Sequence, residues 1–205
     1  MHNKSEGLIL SFETGLDGGT VSILENGEQI DYAKGSGKVS KSEDLLLLLG
    51  ELLEKNQIRK RAIKSIVVSD APGSLTGIRI GLAIAKGLSA ALNIEIEKSS
   101  VLEALLRLSG VGDNLRAAIS TQSCGIYHQS YAGQGSSVEI NRCRNLEEFI
   151  TLLQSSVGAA ECLIVNEDLY NALALRDAFK ELIKQYRIKS IGGNFAEILG
   201  KSINK

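Results

Sequence analysis

The segment Ala71-Pro72-Gly73-Ser74-Leu75-Thr76-Gly77-Ile78-Arg79-Ile80-Gly81 joins an apolar, β-like run at 66–69 to an apolar helical run at 76–92. It holds the only proline of the chain. Pro72-Gly73 predicts a turn, because proline fixes φ and glycine reaches backbone conformations closed to other residues. Ser74 or Thr76 can cap the helix through a hydroxyl oxygen. A strand, a tight glycine loop and a helix N-terminus also form a candidate anion site. The loop therefore either holds a phosphate or turns a corner.

Upstream of this loop, strands are predicted at 8–14, 19–24 and 29–33, with Asn26-Gly27 as a hairpin turn between the last two. Ser40-Lys41-Ser42-Glu43 has capping-box spacing and precedes a leucine-rich helix. Strand 63–69 leads into the loop, and helix 76–92 leaves it. Strand 93–97 follows, then Ser100-Val101-Leu102-Glu103 as a second capping box opening a helix to Leu108. The order then recurs. Strands at 115–121, 125–132 and 137–143 precede a helix capped at Asn145 and running to about Ser155. Strand 161–165, helix 168–186, strand 187–191 and helix 194–203 complete the chain. Within each half the early strands have short links and are expected antiparallel. The later strands need crossovers and are expected parallel. The architecture expected is α/β: a mixed sheet with flanking helices, made twice, which resembles the duplicated ribonuclease-H-like fold of the actin, sugar kinase and heat-shock ATPase superfamily. The expected lobes are 1–109 and 110–205.

Composition narrows the function classes. The chain has 205 residues, 43% apolar and 23% charged, with a formal net charge of −1. That balance gives no global attraction to nucleic acid. No apolar run in the sequence approaches the roughly 20 residues of a bilayer span, and the first seven residues show no signal-peptide core. No membrane partner is expected. Cys124, Cys143 and Cys162 are odd in number and lack C-x-x-C spacing, which points to reduced, structural cysteines and a cytoplasmic protein. With His2 and His128 as the only histidines, neither a His-based metal site nor a Ser-His-Asp triad is expected.

Two helices carry more apolar surface than a sheet-packed helix needs. On 76–92, Arg79 and Lys86 share one side, and Gly77, Gly81, Ala85 and Ser89 recur every fourth residue. Glycine inside a helix costs up to about 1 kcal/mol relative to alanine, so this stripe implies the close approach of another backbone or ring system. The preceding helix bears Leu45, Leu46, Leu47, Leu48, Leu49, Leu52 and Leu53, with Leu47 apart from the others on the wheel. Two readings stand: a docking face for a partner's helices, or a core buried by this chain's own second half.

The loop and its helix resemble GPGSFTGVRIG, the signature of the bacterial TsaB (YeaZ) family, the non-catalytic subunit of the tRNA threonylcarbamoyladenosine machinery. Ala71, Leu75 and Ile78 replace the family's Gly, Phe and Val. Lys86-Gly87-Leu88 and the opening Leu10-Ser11-Phe12-Glu13-Thr14 also resemble family segments, with Glu13 in place of Asp. The second half departs from the pattern at Ser120-Thr121-Gln122 and lacks the usual proline-containing tail. The resemblance implies a scaffold that pairs with a catalytic, TsaD-like threonylcarbamoyl transferase of the same fold. An ATPase subunit (TsaE-like) engages that pair, and tRNA adenosine 37 is reached only indirectly. A homodimer through the same helices is an alternative. The interface so implied comprises Leu45, Leu48, Leu49, Leu52, Gly77, Arg79, Gly81, Ala85 and Ser89. Pro72, Gly73, Ser74 and Thr76 set the loop. No cofactor is expected on the chain alone, with an adenine nucleotide as a candidate at the partner boundary.

The rival reading is an ATPase or phosphotransferase of the same superfold. Glu13-Thr14-Gly15 and Gly18-Gly19-Thr20 sit where a first phosphate hairpin would lie, and Gly192-Gly193 where an adenosine-binding glycine pair would lie. Against it, 120–125 lacks an acidic residue to manage Mg²⁺ and water. Glu13, Thr14, Gly192 and Gly193 are then a vestigial nucleotide site. A basic cluster, Lys55, Arg59, Lys60, Arg61 and Lys64, reads as a solvated face in preference to an RNA-phosphate contact, because Glu51 and Glu54 precede it.

Overall fold

The computed structural model describes residues 7–16, 18–35, 42–110, 115–121, 125–132, 136–137, 139–156 and 162–203. They form two units. One comprises the chain up to Ala104 together with the segment from Asn194 on, and the other comprises Leu105–Gly193.

The first unit is built on a five-stranded sheet in the order β3-β2-β1-β4-β5. Its strands are β1 Leu8–Glu13, β2 Thr20–Glu25, β3 Glu28–Lys34, β4 Ile63–Ala71 and β5 Glu95–Ser100. β1, β2 and β3 pair antiparallel, while β4 and β5 run parallel to β1. The Asn26-Gly27 hairpin forms as expected, with φ of 51° and 81° at the two turn residues. This left-handed pair matches the twist of the strands it joins. Helices α1 Ser42–Lys55 and α2 Leu75–Leu92 follow β3 and β4. Alternate residues of β1 and β2, Leu8, Leu10, Phe12, Val21 and Ile23, meet Leu45, Leu49, Leu52 and Leu53 of α1 and Ile84 and Ala85 of α2. Asn93 takes the left-handed conformation that ends α2, so β5 starts at Glu95 rather than at 93. Ser40 and Lys41 lie outside the described residues. At Ser100 the hydroxyl accepts from Leu102 N at 3.2 Å, opening α3 Val101–Ser109.

The second unit repeats the order. β6 Leu115–Thr121 pairs antiparallel with β7 Gly125–Ala132 and parallel with β10 Cys162–Asn166, which carries β11 Arg187–Ile191 on its far edge. The expected strand at 137–143 is instead two short pieces on β7, namely β8 Ser136–Ser137 and β9 Asn141–Cys143. α4 Leu146–Ser155 is capped as predicted, Asn145 Oδ1 accepting from Glu148 N at 2.9 Å. The single helix expected at 168–186 is two, α5 Glu167–Ala174 and α6 Phe179–Gln185. The break at Leu175–Ala178 turns the chain so that Phe179 meets the Tyr170 ring edge-on at 5.7 Å and Leu182 enters the core.

The chain divides differently from the expected 1–109 and 110–205. The last helix, α7 Phe195–Ser202, packs on β1, β2 and β4 of the first sheet. Its anchor is Asn194, whose Oδ1 accepts from Glu197 N at 2.8 Å and from Ser22 Oγ at 3.1 Å, while its Nδ2 donates to Gln29 Oε1 at 2.8 Å. β1 is thus buried on both faces, by α1 and α2 on one side and α7 on the other.

Candidate functional site

The proline loop docks onto the turn that leaves β1. Ser74 N donates to Gly15 O at 2.8 Å, and Thr14 Oγ1 donates to Gly77 O at 2.8 Å. Ser74 Oγ caps α2, accepting from Gly77 N at 3.4 Å. Every glycine of the motif serves this contact. A Cβ on Gly73, which has φ of +146°, would stand 2.5 Å from Gly15 O and 2.6 Å from Gly15 C. One on Gly77 would meet the Thr14 carbonyl, its carbon at 2.9 Å, and Gly15 Cα at 3.2 Å. One on Gly81 would enter the Thr14 side chain, with Cγ2 at 3.1 Å and Cβ at 3.2 Å. The ring or backbone that the glycine stripe implies is therefore this chain's own hairpin turn. Pro72 is buried, whereas Ser74 and Thr76 are exposed.

Glu13 is fully buried, and its carboxylate closes the same turn. Oε1 accepts from Gly15 N at 2.7 Å and from Leu16 N at 3.1 Å, and Oε2 accepts from Leu16 N at 3.2 Å. Its oxygens are thus engaged by their own loop. Gly192 and Gly193 belong to the other unit and precede the cap of α7, Gly193 with φ of +105°. On the second hairpin, Ser120 N donates to Asn166 Oδ1 at 3.0 Å. Gln122, Ser123 and Cys124 lie outside the described residues.

The structure redistributes the interface residues named from the sequence. Leu45, Leu49 and Leu52 are core residues of the first sheet, Leu49 only 4% exposed. Gly77, Gly81 and Ala85 are buried as well. Leu48 is half-buried. Ser89 is half-buried too, its hydroxyl donating to Ile94 O at 2.6 Å. Of the set, Arg79 is exposed. On α1 and α2 the apolar surface left uncovered is a different one: Leu46 and Leu47 of α1, 48% and 67% exposed, and Leu75 of α2, 63% exposed. Ala83, Gly87, Ala90 and Ala91 continue it along α2. The two helices are neighbours. By length and composition α2 could cross a membrane, and only 22% of it is buried. It nonetheless serves as the crossover from β4 to β5, with Arg79 and Lys86 on its open side. The wheel position of Leu47 was the sequence signal for this face. The stripe of small residues pointed the other way, into the fold.

The second unit holds two features the sequence did not announce. One is an open cavity of about 330 Å³ whose lining includes Ser120, Thr121, Arg142, Arg144 and Asn145. Glu148 already closes the helix end beside it, accepting from Arg144 N at 2.8 Å. The other is the buried guanidinium of Arg116, whose Nε donates to Ser130 Oγ at 3.0 Å while Nη1 has no partner. Near it on the sheet, His128 is buried against Phe149 with Nδ1 unpartnered. Burial, reinforced by the Arg116 charge, lowers the His128 pKa from 6.5 to about 4. Among the described residues no group of three or more His, Cys, Asp or Glu side chains is placed to hold a metal ion.

Two mixed sheets of matching strand order, each flanked by helices, define a duplicated ribonuclease-H-like fold. Solved structures share this fold. YeaZ from Pseudomonas aeruginosa matches with a TM-score of 0.56 at 16% identity, over 96% of this chain and 90% of that one. A Bacteroides thetaiotaomicron protein with an actin-like ATPase fold matches at 0.55 and 12% identity, over 98% of each chain. The family profile described as TsaD, tRNA N6-adenosine threonylcarbamoyltransferase, matches residues 38–155. The tRNA threonylcarbamoyladenosine biosynthesis protein TsaB of Buchnera aphidicola subsp. Baizongia pistaciae is 26% identical over 157 residues, 70% of this chain and 70% of that protein. The chain belongs to the TsaD family and, within it, to the TsaB (YeaZ) group.

Proposed function

We propose that this chain is a non-catalytic scaffold of tRNA threonylcarbamoyladenosine biosynthesis, pairing with a TsaD-type threonylcarbamoyl transferase and making it competent to modify adenosine 37. The observation that carries the reading is the uncovered apolar face of α1 and α2, where Leu46, Leu47 and Leu75 are exposed. Large contiguous apolar patches on soluble proteins mark interaction sites. A partner of the same fold would bring equivalent helices, and helices bury such stripes efficiently against one another. The fixed position of Glu13 supports a non-catalytic role, because its carboxylate is engaged by the amides of its own turn. In this reading the chemistry, any adenine nucleotide at the boundary and the target base belong to the partner's side. A TsaE-like ATPase engages the pair, and the assembly is cytoplasmic.

The test is a double substitution, Leu47→Asp with Leu75→Asp. Both side chains are exposed, so the thermal transition of the isolated chain should stay within about 1 kcal/mol of wild type. Co-purification with the transferase paralogue should be lost. Undiminished co-purification would remove the proposal. A homodimer through this face would appear as a concentration-dependent mass in sedimentation that the same substitutions abolish.

A further inference from the structure

The chain between α1 and β4 is a short, tightly held knuckle. After Lys55, Ile58 N donates to Leu53 O at 2.8 Å and closes the helix end, with Gln57 at φ of 55°. Arg59 is extended, and residues Lys60–Ala62 form a single 3-10 turn in which Ala62 N donates to Arg59 O at 2.8 Å. Ile58 and Ala62 both pack against the core of the first unit, and Ile63 is part of it. The apolar anchors on either side fix the backbone and turn the intervening Arg59, Lys60 and Arg61 outward, all three exposed. Lys64, exposed on β4, lays its stem over Gly7 beside them.

Among the described residues, no carboxylate pairs with Arg59, Lys60, Arg61 or Lys64. Lys55, by contrast, has an acidic partner, Asp31 Oδ2 at 2.7 Å. Glu51 and Glu54 on α1, Glu25 on β2 and Glu95 on β5 are exposed, and none forms an ion pair with Arg59, Lys60, Arg61 or Lys64. Glu51 and Glu54, whose place in the sequence favoured a solvated face, thus do not pair with the cluster. Among the described residues, none forms an ion pair with these four head groups. In a chain of net charge −1 they form a local cationic surface on a pre-ordered backbone.

We infer that Arg59, Lys60, Arg61 and Lys64 form a contact surface for the phosphodiester backbone of tRNA. The inference rests on the proposed role in tRNA modification, which favours RNA over other polyanions. It adds a direct, sequence-independent contact by this chain to a reading in which tRNA is reached through the partner. Cations that neutralise phosphates release condensed counterions, so their contribution falls steeply with salt. Backbone contacts of this type position an RNA without reading its bases. A knuckle already fixed by core contacts loses little conformational freedom on binding.

The experiment measures tRNA affinity of the full chain and of its complex with the transferase paralogue at several salt concentrations. The comparison is with the triple substitution Arg59→Gln, Lys60→Gln, Arg61→Gln. The log–log salt slope should fall by about 2 to 3 in the variant, since each neutralised phosphate contributes about 0.7 to 0.9. Wild-type affinity should drop about 20- to 40-fold more than the variant's between 50 and 200 mM salt. Lys55→Gln, which removes a lysine already paired with Asp31, should leave the slope unchanged. Equal slopes for wild type and triple variant overturn the inference, as does the absence of tRNA binding by the wild-type chain at the lowest salt. Binding of the cluster to anionic phosphatidylserine vesicles without binding to tRNA also overturns it. Co-purification with the paralogue is read on the same samples. If wild type and variant both pair but bind tRNA alike, the contact surface fails and the scaffold role stands. If neither pairs, the scaffold role itself fails.

Discussion

Gly77 and Gly87 lie on one helix and should respond oppositely to the same methyl group. At Gly87 an added Cβ meets nothing within 4 Å. Gly87→Ala should therefore stabilise the chain by up to about 1 kcal/mol, the helix-propensity difference. At Gly77 the Cβ would press into backbone, with the Thr14 carbonyl carbon at 2.9 Å and Gly15 Cα at 3.2 Å. A flexible side chain could swing aside, but this turn is tied down by Ser74 N to Gly15 O and by Thr14 Oγ1 to Gly77 O, both at 2.8 Å. Overpacking costs about 1 to 3 kcal/mol. Displacing the turn forfeits two hydrogen bonds at about 1 kcal/mol each, and propensity returns about 1 kcal/mol. The net loss expected for Gly77→Ala is about 2 to 4 kcal/mol. The two variants should thus differ by about 3 to 5 kcal/mol, a large part of a typical domain's stability. Because the chain has two units, the informative assay is amide hydrogen exchange of β1 and β4 in a urea series, which reports the opening of the first unit alone. Slower exchange in Gly77→Ala than in wild type would show that the hairpin turn does not occupy the space above Gly77.

The remaining expectations concern the other unit, the last helix and the two surfaces already described. His128 has a folded-state pKa of about 4 against 6.5, so the unfolded chain takes up the proton first as pH falls. Stability should decline between pH 6.5 and 4 by about 3 kcal/mol in total. Melts of wild type and His128→Gln across that window should diverge by that amount, and a constant difference would contradict the buried neutral imidazole. Asn194→Ala removes the α7 cap and its link to Gln29, and urea titration should show a loss of about 2 kcal/mol. An unchanged midpoint would mean α7 is held by its apolar face alone. Leu47→Asp with Leu75→Asp should cost pairing but not folding, read by co-purification. The knuckle substitutions should cost salt-dependent RNA binding but not pairing, read from the salt slope.

Much of the fold was legible because its signals are local. Asn26-Gly27 fixes a two-residue hairpin through backbone conformations open to few other residues, and Asn145 caps its helix through an oxygen one turn from its donor. The split of 168–186 into two helices was not legible, since no proline or glycine marks Leu175–Ala178. The break is stabilised by Phe179 meeting Tyr170 and by Leu182 reaching the core. The candidate site was half legible. The stripe Gly77, Gly81, Ala85 and Ser89 announced a close approach, but a period of four says which residues share a face and not what lies opposite it. That face turned out to hold Thr14 and Gly15 of the same unit. The apolar surface left open consequently lies on the other side of both helices, at Leu46, Leu47 and Leu75.

What the sequence alone determined was the order of elements and its repetition, because hydrophobic period, turn residues and caps act over a few residues and need no partner. The tertiary structure decided which sheet receives the last helix, and which side of α1 and α2 remains open. Both outcomes depend on contacts between segments far apart in the chain: α7 closes over β1 and β2, and the β1 turn fills the glycine notch. Such contacts follow from the joint packing of many side chains, and no single window of residues carries that information.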